Sequence, residues 1–179
     1  MHPVLGKLTT EAAVQRPDLL APAVLAALAG WPAPGQVDVA EIDAELADTA
    51  AFCEAYGVML EESANCVVVA GKREGDIRYA ACMVLATTRA DVNGIVRRHL
   101  DVRKASFAAM DEAVQLTGME YGGITPIGLP AGWPILVDAA VAATTMVVIG
   151  SGVRRSKLVL PGEALATLPG AAVIEGLGR

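Results

Sequence analysis

Imidazoles and thiols are scarce in this sequence, which has two histidines (His2 and His99) and three cysteines (Cys53, Cys66 and Cys82) in 179 residues. An odd cysteine count without a C-x-x-C pair points away from a disulfide framework and from a zinc site. Two histidines exclude a histidine-rich metal centre, so neither metal nor cofactor is expected. Long apolar runs are missing as well. Leu19 to Val37 carries no charge, but Pro22, Gly30, Pro32, Pro34 and Gly35 break it. Tyr121 to Val137 holds three prolines and four glycines. A membrane span needs about 20 mostly apolar residues in helix-compatible order, so no membrane partner is expected. The first residues, M-H-P-V-L-G-K, lack the basic patch, apolar core and cleavage site of a signal peptide. A soluble, cytoplasmic chain is the expectation.

What is present is alanine, valine and leucine, which raise the mean hydropathy to +0.46. The length fits one domain, able to bury a core without disulfides or a structural metal. A net charge of −6 argues against a general nucleic-acid binder, but the charge is uneven. Residues 1–88 carry 5 basic and 12 acidic side chains, whereas residues 89–179 carry 9 and 8. The bases of the second half cluster at Arg97, Arg98, Arg103 and Lys104, and again at Arg154, Arg155 and Lys157. From charge alone these read as two solvated faces.

Along the chain, residues 17–30 read as an alanine-rich helix ending at Gly30, followed by a Pro/Gly connection from Trp31 to Gly35. A second helix, from about Glu41 or Asp48, runs to Tyr56 and stops at Gly57, a residue suited to the left-handed C′ position. Cys66 to Ala70 and Ile77 to Ala86, around G-K-R-E-G-D, read as a β-hairpin whose near-continuous apolarity implies cover on both faces. Asp91 suits the cap of a helix to about Leu100. A short strand at Arg103–Phe107 and a helix at Asp111–Thr117 follow, stopped by Gly118. Residues 118–134 show no period. Strands are then expected at 135–137, 147–149, 158–160 and 171–174, with a helix from Pro161 to about Leu168. The sum is an α+β domain with a mixed sheet. Residues 1–47 read as a helical N-terminal extension packed on a domain of residues 48–179.

The stretch at 118–134 is the most informative, because a long irregular loop in a compact domain is usually functional. Gly122-Gly123 permits close backbone approach, and successive amides there can form a nest for an anion or carboxyl oxygen. Gly150-Ser151-Gly152 follows a buried strand, but no helix opens behind it, so the dinucleotide fingerprint fails; a tight turn is the simpler reading. Asp138 is either a site residue or a helix cap. No Ser-His-Asp or Cys-His pair is suggested. None of the cysteines has a basic neighbour in sequence to lower its thiol pKa.

Taken together, Gly118, Gly122, Gly123, Ile124, Thr125, Pro126 and Gly128, the hairpin before them, and I-L-V-D and V-V-I-G-S-G after them resemble the YbaK family. That family comprises the prolyl-tRNA-synthetase-associated editing domains. The resemblance spans about Asp48 to Leu177 and implies a strongly curved mixed sheet with short flanking helices. It further implies a trans-acting aminoacyl-tRNA deacylase hydrolysing the ester of a small mischarged amino acid. The partners it implies are the tRNA acceptor end and an aminoacyl-tRNA synthetase, the chain itself being a monomer or homodimer. By the same resemblance Asn65, Gly122, Gly123 and Thr125 are the catalytic candidates. Ile124, Pro126, Gly128, Asp138, Gly150, Ser151 and Gly152 are the substrate-binding candidates. Arg97, Arg98, Arg103, Lys104, Arg154, Arg155 and Lys157 are candidates for tRNA contact. One departure stands out: Asn65 occupies the place of the family's strand lysine. An amide donates a hydrogen bond but brings no positive charge. Either Lys72, Lys104 or Arg78 supplies the charge from elsewhere, or the substrate differs, or the chain binds an amino acid, aminoacyl ligand or protein without turnover.

Overall fold

Two ten-residue strands joined by the shortest of turns carry much of the architecture. β3 (Ala64–Arg73) pairs antiparallel with β4 (Asp76–Leu85) along its whole length. The reversal at Glu74-Gly75 places both residues at positive φ, +51° and +88°, the geometry whose twist matches that of a two-residue hairpin. The protein, seen here as a computed structural model, is described over residues 5–33 and 36–179.

In chain order the remaining elements are β1 (Thr10–Ala12), α1 (Pro22–Gly30), β2 (Asp38–Glu41), α2 (Thr49–Tyr56), α3 (Arg97–Leu100), β5 (Ala105–Phe107), α4 (Met110–Thr117), β6 (Ile135–Asp138), α5 (Ala139–Ala142), β7 (Val147–Gly150), β8 (Ser156–Leu160), α6 (Gly162–Leu165) and β9 (Ala171–Ile174). β3 and β4 fall between α2 and α3. The mixed α+β class is as expected, with the strands divided between two sheets. One is antiparallel, in the order β1-β2-β8-β7; the other is mixed, in the order β5-β3-β4-β6-β9. A parallel bridge between Ser63 and Val148 ties the sheets together where β3 begins.

Strand periodicity explains why both sheets are apolar on both faces. Val147 and Ile149 of β7 face a core shared with Ile135 and Val137 of β6 and with Val24 and Leu28 of α1. Between them, Val148 points the other way, to Phe52 and Cys53 of α2. Leu136 likewise turns from its neighbours to Val92, Val96 and Leu100. Alternate residues thus serve opposite cores, which a period of two requires. No helix of the described residues is long and apolar enough to cross a membrane.

Residues 1–47 depart from the expected helical extension. Helix α1 occupies only the end of the predicted span 17–30, because Ala21, before Pro22, is held extended at ψ 147°. Pro17–Leu19 is a separate 3-10 turn. Strands β1 and β2 belong to the same segment, and β2 pairs with β8, Asp38 lying opposite Val159. This pairing joins residues far apart in sequence, and local pattern gave no sign of it. Residues 1–4, Pro34 and Gly35, part of the expected extension and connection, lie outside the described residues. Elsewhere the expected elements appear near their predicted bounds: α2 starts after Asp48 and ends at Gly57, at φ +66°. Asp91 accepts hydrogen bonds from the Gly94 and Ile95 amides, although the first turn it caps, Val92–Val96, is wound as a π-helix.

Candidate functional site

The seam between the sheets opens into a cavity of about 330 Å³. Its floor is the start of β3, from Ala64 to Val67, beside Val148 to Gly150 of β7. Its walls are Tyr121, Gly122 and Ile124 of the long loop and Ala47 to Thr49 at the head of α2, with Lys157 of β8 between them.

Glycines seat the loop. Gly123 and Ile124 pass so close to β7 that a Cβ on Gly150 would stand 2.6 Å from the Gly123 carbonyl oxygen and 2.7 Å from that of Ile124. A Cβ on Gly123 would meet the Val153 backbone at 2.8 Å. Backbone hydrogen bonds fill that contact: the Gly152 amide donates to the Gly123 carbonyl at 2.7 Å and the Glu120 amide to the Gly152 carbonyl at 2.9 Å. The Gly-Gly of the loop and the Gly-Ser-Gly after β7 are therefore two halves of one backbone-to-backbone junction. Arg154 staples it, donating through Nη1 to the Tyr121 carbonyl and through Nη2 to the Ala44 carbonyl.

Two side chains with nitrogen donors, Asn65 and Lys157, line the cavity, each bonded to the head of α2. Asn65 accepts at Oδ1 from Thr49 Oγ1 at 2.7 Å, which leaves its NH₂ end as a donor not used in that bond. Lys157 is only 8% exposed. Its Nζ donates to the Ala47 carbonyl at 3.0 Å and lies 5.3 Å from the centre of the Phe52 ring. Burial holds the Lys157 ammonium below the ordinary lysine range, Arg154 adding to the effect while Cys53 and Asp48 oppose it. The thiols offer no nucleophile. Desolvation pushes Cys66, which lines the cavity, well up, pushes Cys82 up to about 12 and raises Cys53; the thiolate is the reactive form. Among the described residues, no three of His, Cys, Asp and Glu gather as a metal ion would need.

Of the sequence candidates, Asn65, Gly122, Ile124 and Gly150 meet at the cavity. Gly123 and Gly152 form the junction behind it. Thr125 is fully buried next to it, its amide donating to Met119 Sδ at 3.5 Å. Ser151 is buried too, its hydroxyl bonded to the Val153 and Ser156 carbonyls, a turn-building role. Pro126 and Gly128 line a separate hollow with Trp31 and Trp133. Asp138 is buried at the end of β6, near Gly178 and Thr88.

The basic residues divide differently from their sequence runs. Lys72 and Arg78 lie near the hairpin reversal, and β5, which follows Arg103 and Lys104, pairs with Val69 to Gly71. Six residues of extended strand separate Gly71 from Asn65, roughly 20 Å at 3.3 Å each. Arg78 donates instead to the Leu100 carbonyl. Arg97 bonds the Asn93 carbonyl, whereas Arg98 is exposed. Arg155 is exposed and contacts the Asp18 carbonyl. None of Lys72, Lys104 and Arg78 reaches the cavity; Lys157 does. Its expected place on an exposed tRNA-facing run is corrected by its burial: in a strand, Lys157 shares a face with Val159, and that face is covered by α2. Asp48, Thr49 and Ser63 are cavity residues that sequence reasoning passed over. Ser63 sits just before β3 and Asp48 and Thr49 open α2, and only the fold brings the three together.

Comparison with known proteins agrees with this arrangement. No curated protein sequence matches. A scaffold protein used for epitope backbone grafting by computational design superimposes with a TM-score of 0.73 at 24% identity, over 89% of this chain and 97% of that one. A proposed trans-editing enzyme for prolyl tRNA synthetase superimposes at 0.74 with 23% identity, over 89% and 99%. A hypothetical protein gives 0.69 at 20% identity, over 79% and 90%. These likenesses establish the fold. The model of the aminoacyl-tRNA editing domain matches residues 43–168, which take in the cavity, the loop and the glycine junction, and the chain belongs to that family.

Proposed function

We propose that this protein is a trans-acting deacylase that hydrolyses the ester between a small, wrongly attached amino acid and the terminal ribose of a tRNA. The observation that carries the reading is the cavity at the sheet seam. It is small, it is walled by Ala64, Cys66, Val67, Val148 and Ile149, and it is bordered by the glycine loop. Such walls admit a short aminoacyl side chain. Discrimination by size alone is modest, about 1–3 kcal/mol per methylene, so several small aminoacyl groups are expected to enter.

Water is the nucleophile in this reading. Its oxygen bonds to the ester carbonyl carbon and the carbonyl oxygen takes up negative charge. The carbon–oxygen bond to the ribose then breaks, and the ribose oxygen leaves with a proton derived from the water. Raised thiol pKa values suit a site that works by fixed donors rather than by a protein nucleophile. Preorganised donors aimed at a developing oxyanion contribute strongly because they need no reorganisation. Asn65 supplies one such donor.

The test is deacylation of a panel of tRNAs charged with proline, alanine, cysteine and serine, each followed against its spontaneous loss. Turnover at least tenfold above background on one or more small aminoacyl groups is expected. Background rates on the whole panel would overturn the reading. The neutral Asn65 favours a second one, in which the chain holds an aminoacyl ligand without hydrolysing it; saturable binding of charged tRNA without turnover identifies that case.

A further inference from the structure

The cavity lined by Asn65 holds a cation as well, Lys157, and its surroundings leave it underemployed. An ammonium has three N–H groups. Lys157 gives one to the Ala47 carbonyl, and among the described residues no carboxylate lies within ion-pair distance of it. Burying such a charge is costly unless it is paired. The Phe52 ring offsets part of that cost. Asp48, at the mouth of the same cavity, contributes a favourable field without direct contact. The ammonium thus keeps donor capacity beyond the Ala47 bond, and Lys157 and Asn65 line the same cavity.

We propose that Lys157 is a catalytic residue of this site, its ammonium binding the ester carbonyl oxygen and stabilising the oxyanion formed when water attacks. It thereby stands in from β8 for the positive charge that Asn65 does not provide from β3. The proton stays on Lys157 throughout: the water oxygen bonds to the carbonyl carbon, the bond to the ribose oxygen breaks, and that oxygen leaves protonated by the water's hydrogen. Two donors then converge on one oxygen, Lys157 from the α2 side and Asn65 from the β3 side. The geometry also explains why the substitution at position 65 is tolerated. A lysine there would bring a second ammonium into a cavity of about 330 Å³ already containing one, and like charges at such range repel.

This inference rests on the deacylase reading, and the experiment separates the two. Wild type, Lys157→Met, Lys157→Gln and the double variant Asn65→Lys/Lys157→Met are assayed on the tRNA panel, with thermal melts to establish folding. Methionine keeps the length of the side chain and removes a buried charge, so the fold is expected to hold. Single variants are expected to lose 100-fold or more in kcat, with KM within threefold, the pattern of a donor used in the transition state. The double variant, with its cation returned on the opposite strand, is expected to regain at least tenfold. Unchanged kcat in folded Lys157→Met overturns the inference while leaving the deacylase reading intact. So does a loss confined to KM that fades with added salt, which marks a phosphate contact. If the wild type turns over nothing, the deacylase reading fails and the catalytic role of Lys157 fails with it.

Discussion

Thr125 illustrates how a residue can belong to a motif and still not face the chemistry. It is fully buried, its amide meets the Met119 sulfur, and its hydroxyl finds no partner among the described residues. A buried hydroxyl left unpaired costs about 1–3 kcal/mol of desolvation. Valine has nearly the same shape and no such group. Thr125→Val is therefore expected to match or exceed the wild type in stability, by up to about 1 kcal/mol, and to keep deacylation within twofold. Chemical denaturation and the tRNA assay check the two halves; a tenfold loss of turnover with an intact fold would return Thr125 to the catalytic group. Lys157 is the converse case. Its sequence neighbours Arg154 and Arg155 made it look like part of a solvated run. Within S-K-L-V-L, however, strand alternation puts it on the face of Val159, beneath α2. Its burial depends on a helix about a hundred residues away in sequence.

At the scale of elements, the irregular stretch 118–134 and the turn after β7 form one structural unit. Their glycines were legible as glycines, and the loop's lack of period was legible too. What the sequence could not show is that Gly122-Gly123 and Gly150-Ser151-Gly152 meet each other, because a contact between two backbones leaves no side-chain pattern to read. The strands told more: β3, β4, β6, β7 and β9 were visible as short β-branched runs, whereas β1 and β2 have three and four residues and gave no period. The junction makes a sharp prediction. Gly150→Ala places a methyl carbon within 2.7 Å of two backbone oxygens, which must move the loop wall of the cavity. Overpacking of this kind typically costs 1–3 kcal/mol, and a tenfold or greater loss of deacylation is expected with the fold retained. Gly30→Ala is the control, since a Cβ there meets nothing within 4 Å. If Gly150→Ala melts and turns over like the wild type, the loop does not depend on that contact.

On the scale of the whole molecule, the family match begins at residue 43, but the fold does not. β2, which lies before it, sits between β1 and β8 and supplies Val39 to the central core, while α1 supplies Val24 and Leu28. Fully burying a valine or leucine side chain is worth about 1.5–3 kcal/mol. Loss of these three together with Leu19, Leu20, Trp31 and Val37 of the same core is comparable to the whole of the roughly 5–15 kcal/mol by which domains are usually stable. Removal would also strip β8 of a partner and expose its edge, inviting strand pairing between copies. The same strand carries Lys157, opposite Ala40 of β2, so the first segment braces the cavity although it lends no residue before Ala47 to the lining. A chain lacking residues 1–47 is accordingly expected to be unfolded or aggregated, with no cooperative melt and no deacylation. Circular dichroism, light scattering and the tRNA assay measure each outcome. A soluble, cooperatively melting and active truncation would show instead that residues 48–179 fold alone and that the earlier strands are an attachment to a complete domain.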